Sequence, residues 1–290
     1  MRLTALAPAK INLFLHVGPV DAAGYHPLES LVAFADIGDG VTVEPSNRLT
    51  LEVAGPFAEG LAGDDNLIVR AVRALGEAAG VGEPPLRIVL DKRLPIAAGL
   101  GGGSSDAGAA LRLAARVLSL NMNETRLERI ADVVGADGPM CLRARTAWAG
   151  GRGEALTDEP RLPSLPVVLL NPRLPSPTGA VYRAYDANPA AEADRPAAPD
   201  DWSRSAVIDW LARQRNDLEA PALSLTSGTG QALEAMRAAP NVRLARMSGS
   251  GATVFGLFDT AEDAERAAQW LCVSHPAWWT EAGLLNAEAV

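Results

Sequence analysis

Pro95-Ile96-Ala97-Ala98-Gly99-Leu100-Gly101-Gly102-Gly103-Ser104-Ser105-Asp106 is the stretch on which the reading of this 290-residue chain turns. Four glycines fall within five positions, between a strand pattern ending near Leu94 and an alanine-rich run from Ser104 through Leu118 that predicts a helix. Glycine permits positive φ and lets a backbone N–H approach a ligand with no Cβ in the way. A helix that starts directly behind adds unpaired N–H groups and the positive end of its dipole, so the segment has the makings of an anion site. The Ser104 and Ser105 hydroxyls are suited to phosphate oxygens or to Mg²⁺. A Walker loop is excluded, because no Lys follows the glycines. A G-x-G-x-x-G fingerprint fails because Ser104 stands where the last glycine is needed, and this disfavours a dinucleotide oxidoreductase. A protein-kinase loop fails on the same spacing, with no H-R-D or D-F-G to support it. A flexible glycine turn without a ligand is the competing reading.

Working outward, strand patterns cover residues 3–7, 11–17, 41–44, 49–53, 86–90 and 167–170. Asp64-Asp65 ahead of 66–79 reads as an N-capped helix closed by Gly80. A further helix is expected over 124–134. Residues 187–201 (ANPAAEADRPAAPDD) lack hydrophobic periodicity and read as a surface loop or linker. Beyond them follow a helix over 202–214, strands over 242–247 and 253–258, and a helix over 261–272. Thr260 and Asp263 resemble a capping box with Asp in the usual Glu place. Strands and helices alternate irregularly, which favours an α+β architecture over a doubly wound parallel sheet.

The formal net charge of -9 argues against nucleic-acid or anionic-membrane partners, so an anionic ligand needs a local positive site. Cys141 and Cys272 form no CxxC and suggest no disulfide framework, in keeping with a reducing, cytoplasmic setting. The apolar N-terminus is interrupted by Pro8, Lys10, Asn12 and His16 with no small-residue cleavage site, so a soluble, unprocessed protein is expected. His16 and His275 have no partners at metal-ligand spacing, and no resident metal site is expected.

Pro95-x-x-x-Gly99-Leu100-Gly101-Gly102-Gly103-Ser104-Ser105 resembles the second motif of the GHMP kinases, small-molecule kinases that include galactokinase, homoserine kinase and mevalonate kinase. Pro8-Ala9-Lys10-Ile11-Asn12-Leu13 is similar to their first motif, and Met247-Ser248-Gly249-Ser250-Gly251-Ala252-Thr253 to their third, in the same order. Gly24-Tyr25-His26-x-Leu28-x-Ser30, Asp65-Asn66-Leu67, Gly135-Ala136-Asp137-x-Pro139 and Asn216-Asp217-Leu218-Glu219 resemble the diphosphocytidyl-methylerythritol kinases within that superfamily. The likeness covers nearly the whole chain. One departure is Ala97-Ala98, where some members carry glycine, which alters loop flexibility.

The resemblance implies a two-domain GHMP-kinase fold. Residues 1–160 would form an α/β domain with the glycine loop, and 161–290 a ferredoxin-like domain closing the substrate cleft. It implies ATP, with Mg²⁺ carried on it, as phosphoryl donor to the 2-hydroxyl of a cytidine diphosphate-linked methylerythritol, in isoprenoid precursor synthesis. Asp137 would be the catalytic carboxylate and Lys10 its cationic partner. By residue type alone, Asp137 is an ordinary turn aspartate and Lys10 a lysine on a strand. Pro95, Ile96, Ala97, Ala98, Gly99, Leu100, Gly101, Gly102, Gly103, Ser104 and Ser105 would hold the triphosphate, with Asn66 and Arg93 near the adenine. Asn66 equally suits a helix N-terminus, Arg93 a strand end, and Asp106 a helix dipole. Tyr25 and Tyr182 would flank the cytosine, with His26 at its edge and Asn12 and Thr178 toward the sugar and diphosphate. A homoserine or mevalonate-type kinase and a non-catalytic nucleotide-binding module are the alternatives, and the presence of both Lys10 and Asp137 weighs against the module.

Overall fold

The structure, a computed structural model, describes residues 1–61 and 63–287. Its chain forms two compact units, one made of Met1–Ala9, Gly38–Ile96 and Gly101–Ala144, the other of Lys10–Ile37, Ala97–Leu100 and Arg145 onward. Two long strands, β1 (Leu3–Val17) and β2 (Leu28–Pro45), pair with each other. Pro8 does not break β1, although its ring removes a donor; the strand patterns at 3–7 and 11–17 are one element.

In the first unit the later half of β2 runs antiparallel to β4 (Leu86–Asp91), from Gly40 opposite Asp91 to Pro45 opposite Leu86, and β3 (Thr50–Ala54) lies parallel to β4. Leu86, Ile88 and Leu90 alternate inward along β4 and meet α1 (Leu67–Ala79) and α2 (Gly102–Val117) in one core. Helix α2 packs closely because its inner face is alanine and glycine. A Cβ on Gly108 would sit 2.9 Å from the Leu142 backbone. Asn66 caps α1, its side-chain oxygen accepting from the Ile68 N–H at 2.9 Å, so the cap lies one residue past the expected Asp64-Asp65. Gly80 closes α1 at φ 71°, as expected. The helix expected over 124–134 is α3 (Glu124–Ala131) followed by a 3₁₀ turn. A short α4 (Gly138–Arg143) was not expected. Pro139 sits in its first turn, where the missing N–H costs nothing.

In the second unit β5 (Ala147–Gly150) pairs with the early half of β2 and with β6 (Ala155–Asp158). The rest runs strand, helices, strand, strand, helix, strand. These are β7 (Leu165–Asn171), helices α5 (Thr178–Tyr185), α6 (Arg204–Ala212), α7 (Glu219–Leu225) and α8 (Ser227–Arg237), β8 (Leu244–Met247), β9 (Val254–Leu257), α9 (Ala261–Ser274) and β10 (Trp279–Leu285). The antiparallel sheet has the order β10-β7-β9-β8, and its chain sequence is that of a ferredoxin-like fold. Leu170, Leu233, Met236, Phe258 and Leu271 lie in its core. Thr260 caps α9 by accepting from the Asp263 N–H, and its hydroxyl donates to the Asp263 carboxylate at 2.6 Å.

Residues 187–201 form no helix or strand but are tied down. Arg215 donates to the Asp194 carboxylate at 2.9 Å, and Trp210 donates to the Ala197 carbonyl at 2.9 Å. Buried Arg246 donates to the carbonyls of Leu13, Leu211 and Gln214 at 2.7, 2.9 and 2.6 Å. Burial lowers its pKa to about 10, with Glu219 opposing, and it stays charged at neutral pH. Arg246→Met is expected to cost about 3–5 kcal/mol in denaturant unfolding, because each buried carbonyl left without a donor costs roughly 1–3 kcal/mol. A loss below about 1 kcal/mol would mean that water or other donors replace the guanidinium.

Candidate active site

The glycine loop follows from its dihedrals. Ala97, Gly99 and Gly101 have φ of 51°, 74° and 62°, so every second residue is left-handed. Such alternation turns successive N–H groups toward one concavity, a backbone nest suited to an anion. The carbonyls are engaged elsewhere. Ala98 O accepts from the Thr253 N–H at 3.2 Å, Gly99 O from the Ser248 hydroxyl at 3.0 Å, Leu100 O from the Lys10 N–H at 2.8 Å and Gly101 O from the Ser105 N–H at 2.9 Å. Among the described residues, the N–H groups of residues 99–104 find no acceptor. The backbone therefore presents donors, and its acceptors are already used.

Gly99 is required twice over. Its φ is positive, and a Cβ there would stand 2.4 Å from the Ser248 carbonyl oxygen. Gly101 is the left-handed residue from which α2 starts, with no side-chain cap. The first turn of α2 thus keeps its orphan donors. Ser105 is fully buried and its hydroxyl finds no partner among the described residues. The loop also puts Ala97 in a left-handed conformation that favours glycine, which is where the departure from glycine noted in the sequence falls.

The third glycine turn, residues 247–253, braces the loop. Asn12 donates its backbone N–H to the Ser248 hydroxyl at 3.3 Å, and its side chain donates to Ser30 at 2.9 Å. The Asn216 amide donates to the carbonyls of Met247 and Gly249, both at 2.8 Å, and the Glu219 carboxylate accepts from the Met247 N–H at 3.0 Å. The Asn216-Asp217-Leu218-Glu219 segment was recognisable only as a family likeness. Its role as a brace needs the fold.

The expected residues fall in several places. Lys10 is buried on β1 in the second unit, and Asp137 stands in the first unit at the start of α4, its carbonyl accepting from the Cys141 N–H at 2.9 Å. Asn66 has both ends of its amide engaged, by Ile68 N–H and by the Leu61 carbonyl at 2.9 Å, as a helix cap requires. Arg93 is exposed and donates to Asp91 at 2.7 Å. His26, Thr178 and Tyr182 are gathered around the start of α5. The His26 ring lies 5.0 Å from that of Tyr182 and its Nε2 stands 3.3 Å from Asp186, while the Thr178 hydroxyl lies 2.9 Å from that of Ser250. Tyr25 is exposed, and the Arg152 guanidinium covers one face of its ring at 3.6 Å.

A buried ionic triad was missed. Lys92 Nζ donates to Asp39 Oδ2 at 2.5 Å and to Asp106 Oδ2 at 2.7 Å, with all three side chains almost wholly out of water. Burial pushes Asp106 up to about 7 against the pull of Lys92. Burial alone would discharge Lys92, but the Asp106 and Asp39 carboxylates hold its pKa above the ordinary value. Asp106 had been read as a simple helix-dipole residue. No sequence pattern marks a lysine just past a strand end as buried, so only packing reveals the triad.

A strand-to-helix glycine cradle and a ferredoxin-like unit in one chain define a phosphate-handling kinase class, and residues 66–144 and 204–272 match the GHMP kinases N terminal domain and GHMP kinases C terminal families. Three similar proteins narrow the class. A 4-diphosphocytidyl-2-C-methyl-D-erythritol kinase of Caulobacter vibrioides (strain NA1000 / CB15N) is 52% identical, over 96% of this chain and 98% of its own. One of Hyphomonas neptunium is 46% identical over 98% and 97%. A solved crystal structure of 4-(cytidine 5'-diphospho)-2C-methyl-D-erythritol kinase superposes with TM-score 0.82 at 36% identity, covering 98% of this chain and 100% of that one. The chain belongs to the 4-diphosphocytidyl-2-C-methyl-D-erythritol kinase family, within the GHMP kinases.

Proposed function

We propose that the chain transfers the γ-phosphoryl group of ATP to the 2-hydroxyl of 4-diphosphocytidyl-2-C-methyl-D-erythritol. The observation that carries this reading is the polarity of the glycine loop, whose carbonyls are bound by the protein while consecutive N–H groups of residues 99–104 are left as donors. A triphosphate is acceptor-rich and anionic, and it satisfies such donors without side-chain charge. The similarity to relatives of the named activity supports the acceptor over homoserine or mevalonate. In this reading residues 1–160 carry the nucleotide loop and the catalytic residues and 161–290 close over the acceptor, a division by role and not by the compact units of the fold.

In this reading the Asp137 carboxylate orients the 2-hydroxyl and takes its proton as the new oxygen–phosphorus bond forms and the bond to the ADP oxygen breaks. The Lys10 ammonium stabilises charge on the transferring group. Mg²⁺ bound to the triphosphate would neutralise charge on its oxygens. The buried, unpartnered Ser105 hydroxyl at the start of α2 fits such an ion, and no larger His/Cys/Asp/Glu group exists among the described residues to hold one alone. His26, Thr178 and Tyr182 form the acceptor side with Tyr25 and Asn12, the rings supplying flat faces for the cytosine. Among the described residues no helix is long and apolar enough to cross a membrane.

The test is ADP release, measured with Mg²⁺ and ATP, in the presence of the cytidyl acceptor, homoserine or mevalonate, and with no acceptor. Release is expected with the cytidyl compound alone. Equal release with homoserine or mevalonate, or none with any acceptor, would overturn the assignment.

A further inference from the structure

Leaving aside the loop and its braces, the most unusual chemistry in the molecule is the Asp39–Lys92–Asp106 triad. Its members touch both ends of the glycine loop. On the entering side, Asp39 Oδ1 accepts from the backbone N–H groups of Arg93 and Leu94 at 2.6 and 2.8 Å. On the leaving side, Lys92 Nζ holds Asp106 in α2, and a Cβ on Gly102 would lie 3.1 Å from the same Nζ. Lys92 is itself fixed, its N–H donating to the Ala54 carbonyl at 2.7 Å. One buried cation therefore ties residues 93–94, through Asp39, to the first turns of α2.

We propose that Lys92 is a positioning residue that clamps the two ends of the glycine loop and so sets nucleotide affinity. This rests on the loop being the triphosphate site. The clamp acts at a distance from the phosphates, through the placing of backbone donors, and a misplacement of about 1 Å in such a site costs up to about 100-fold. A buried triad of this kind contributes little net stability, because desolvation of its charges offsets their attraction. Fixing a geometry is the better use of it.

Lys92→Met is a poor probe, since it would strand two buried carboxylates and is expected to unfold the chain. Asp106 gives a cleaner one. Asp106→Ala removes the tie and leaves the neutral Lys92–Asp39 pair, whereas Asp106→Asn keeps an acceptor for Nζ. ATP binding is first measured calorimetrically on the wild-type chain, then KM for ATP and for the cytidyl acceptor on both variants, with thermal unfolding alongside. Asp106→Ala is expected to raise KM for ATP about tenfold or more with acceptor KM within about twofold, and Asp106→Asn to stay within about threefold of wild type for both. Unchanged KM for ATP in Asp106→Ala, equal rises for both ligands, or Asp106→Asn as impaired as Asp106→Ala would overturn the clamp while leaving the loop assignment standing. Wild-type chain that binds no ATP would overturn the loop assignment and the clamp together.

Discussion

Asp137→Asn is expected to lower kcat by about 10²–10⁴-fold while ATP affinity stays within about twofold. Asn keeps the size and one oxygen of the side chain but cannot accept the hydroxyl proton as a carboxylate does. Asp137 serves α4 through its backbone carbonyl, which accepts from the Cys141 N–H and is left in place by the change. Steady-state turnover with saturating acceptor, and calorimetry with ATP alone, separate the two effects. A variant with near-wild-type kcat would remove Asp137 from the chemistry and return it to the turn aspartate it resembles by residue type.

Gly99→Ala should be the most damaging single methyl in the nucleotide loop. Alanine in the left-handed region costs about 1–2 kcal/mol. The added Cβ would also meet the Ser248 carbonyl oxygen at 2.4 Å and Gly251 backbone atoms at 3.0 and 3.1 Å, none of which can swing aside. Overpacking of this kind costs roughly 1–3 kcal/mol. The expected result is a loss of about 2–5 kcal/mol in unfolding free energy together with at least about a tenfold rise in KM for ATP. Gly103→Ala is the control for stability, since its Cβ would meet only the end of the Leu67 side chain, at 3.2 Å, and its φ is ordinary. Equal stability for the two variants would mean that the loop relaxes away from the third glycine turn.

Elements with a strong local signal were legible in the chain: the glycine loop and the helix behind it, alternating β4, Gly80 closing α1, and Thr260 starting α9. The early half of β2 was not, because Leu31, Val32, Ala33 and Phe34 are buried on both faces and show no alternation. Strand β10 was hidden by the opposite fault, its residues being mostly half-exposed. Helix α4 was concealed by Pro139, which punctuates a helix interior and a first turn alike until the fold says which it is. Among the candidate residues, motif likeness picked out the loop segment, Lys10, Asp137, and the His26 and Tyr182 rings that lie 5.0 Å apart. It could not reveal contacts that span the chain, such as Lys92 with Asp39, or Asn216 with the third glycine turn. Those depend on burial and on carbonyl orientation, which leave no local pattern.

The bracing of Gly99 by Ser248, 149 residues further on, and of Asn12 by the same serine, 236 residues away, bears on how the enzyme comes into being on the ribosome. The glycine loop is translated early, yet the residues that hold its Ala98 and Gly99 carbonyls, Thr253 and Ser248, emerge only after all of the intervening chain. A nascent chain still short of Thr253 has the glycines without their anchors, and backbone donors that are not held in place bind an anion poorly. In the proposed function, nucleotide capture then waits on residues 248–253, and a chain cut short of them is kept from competing for ATP.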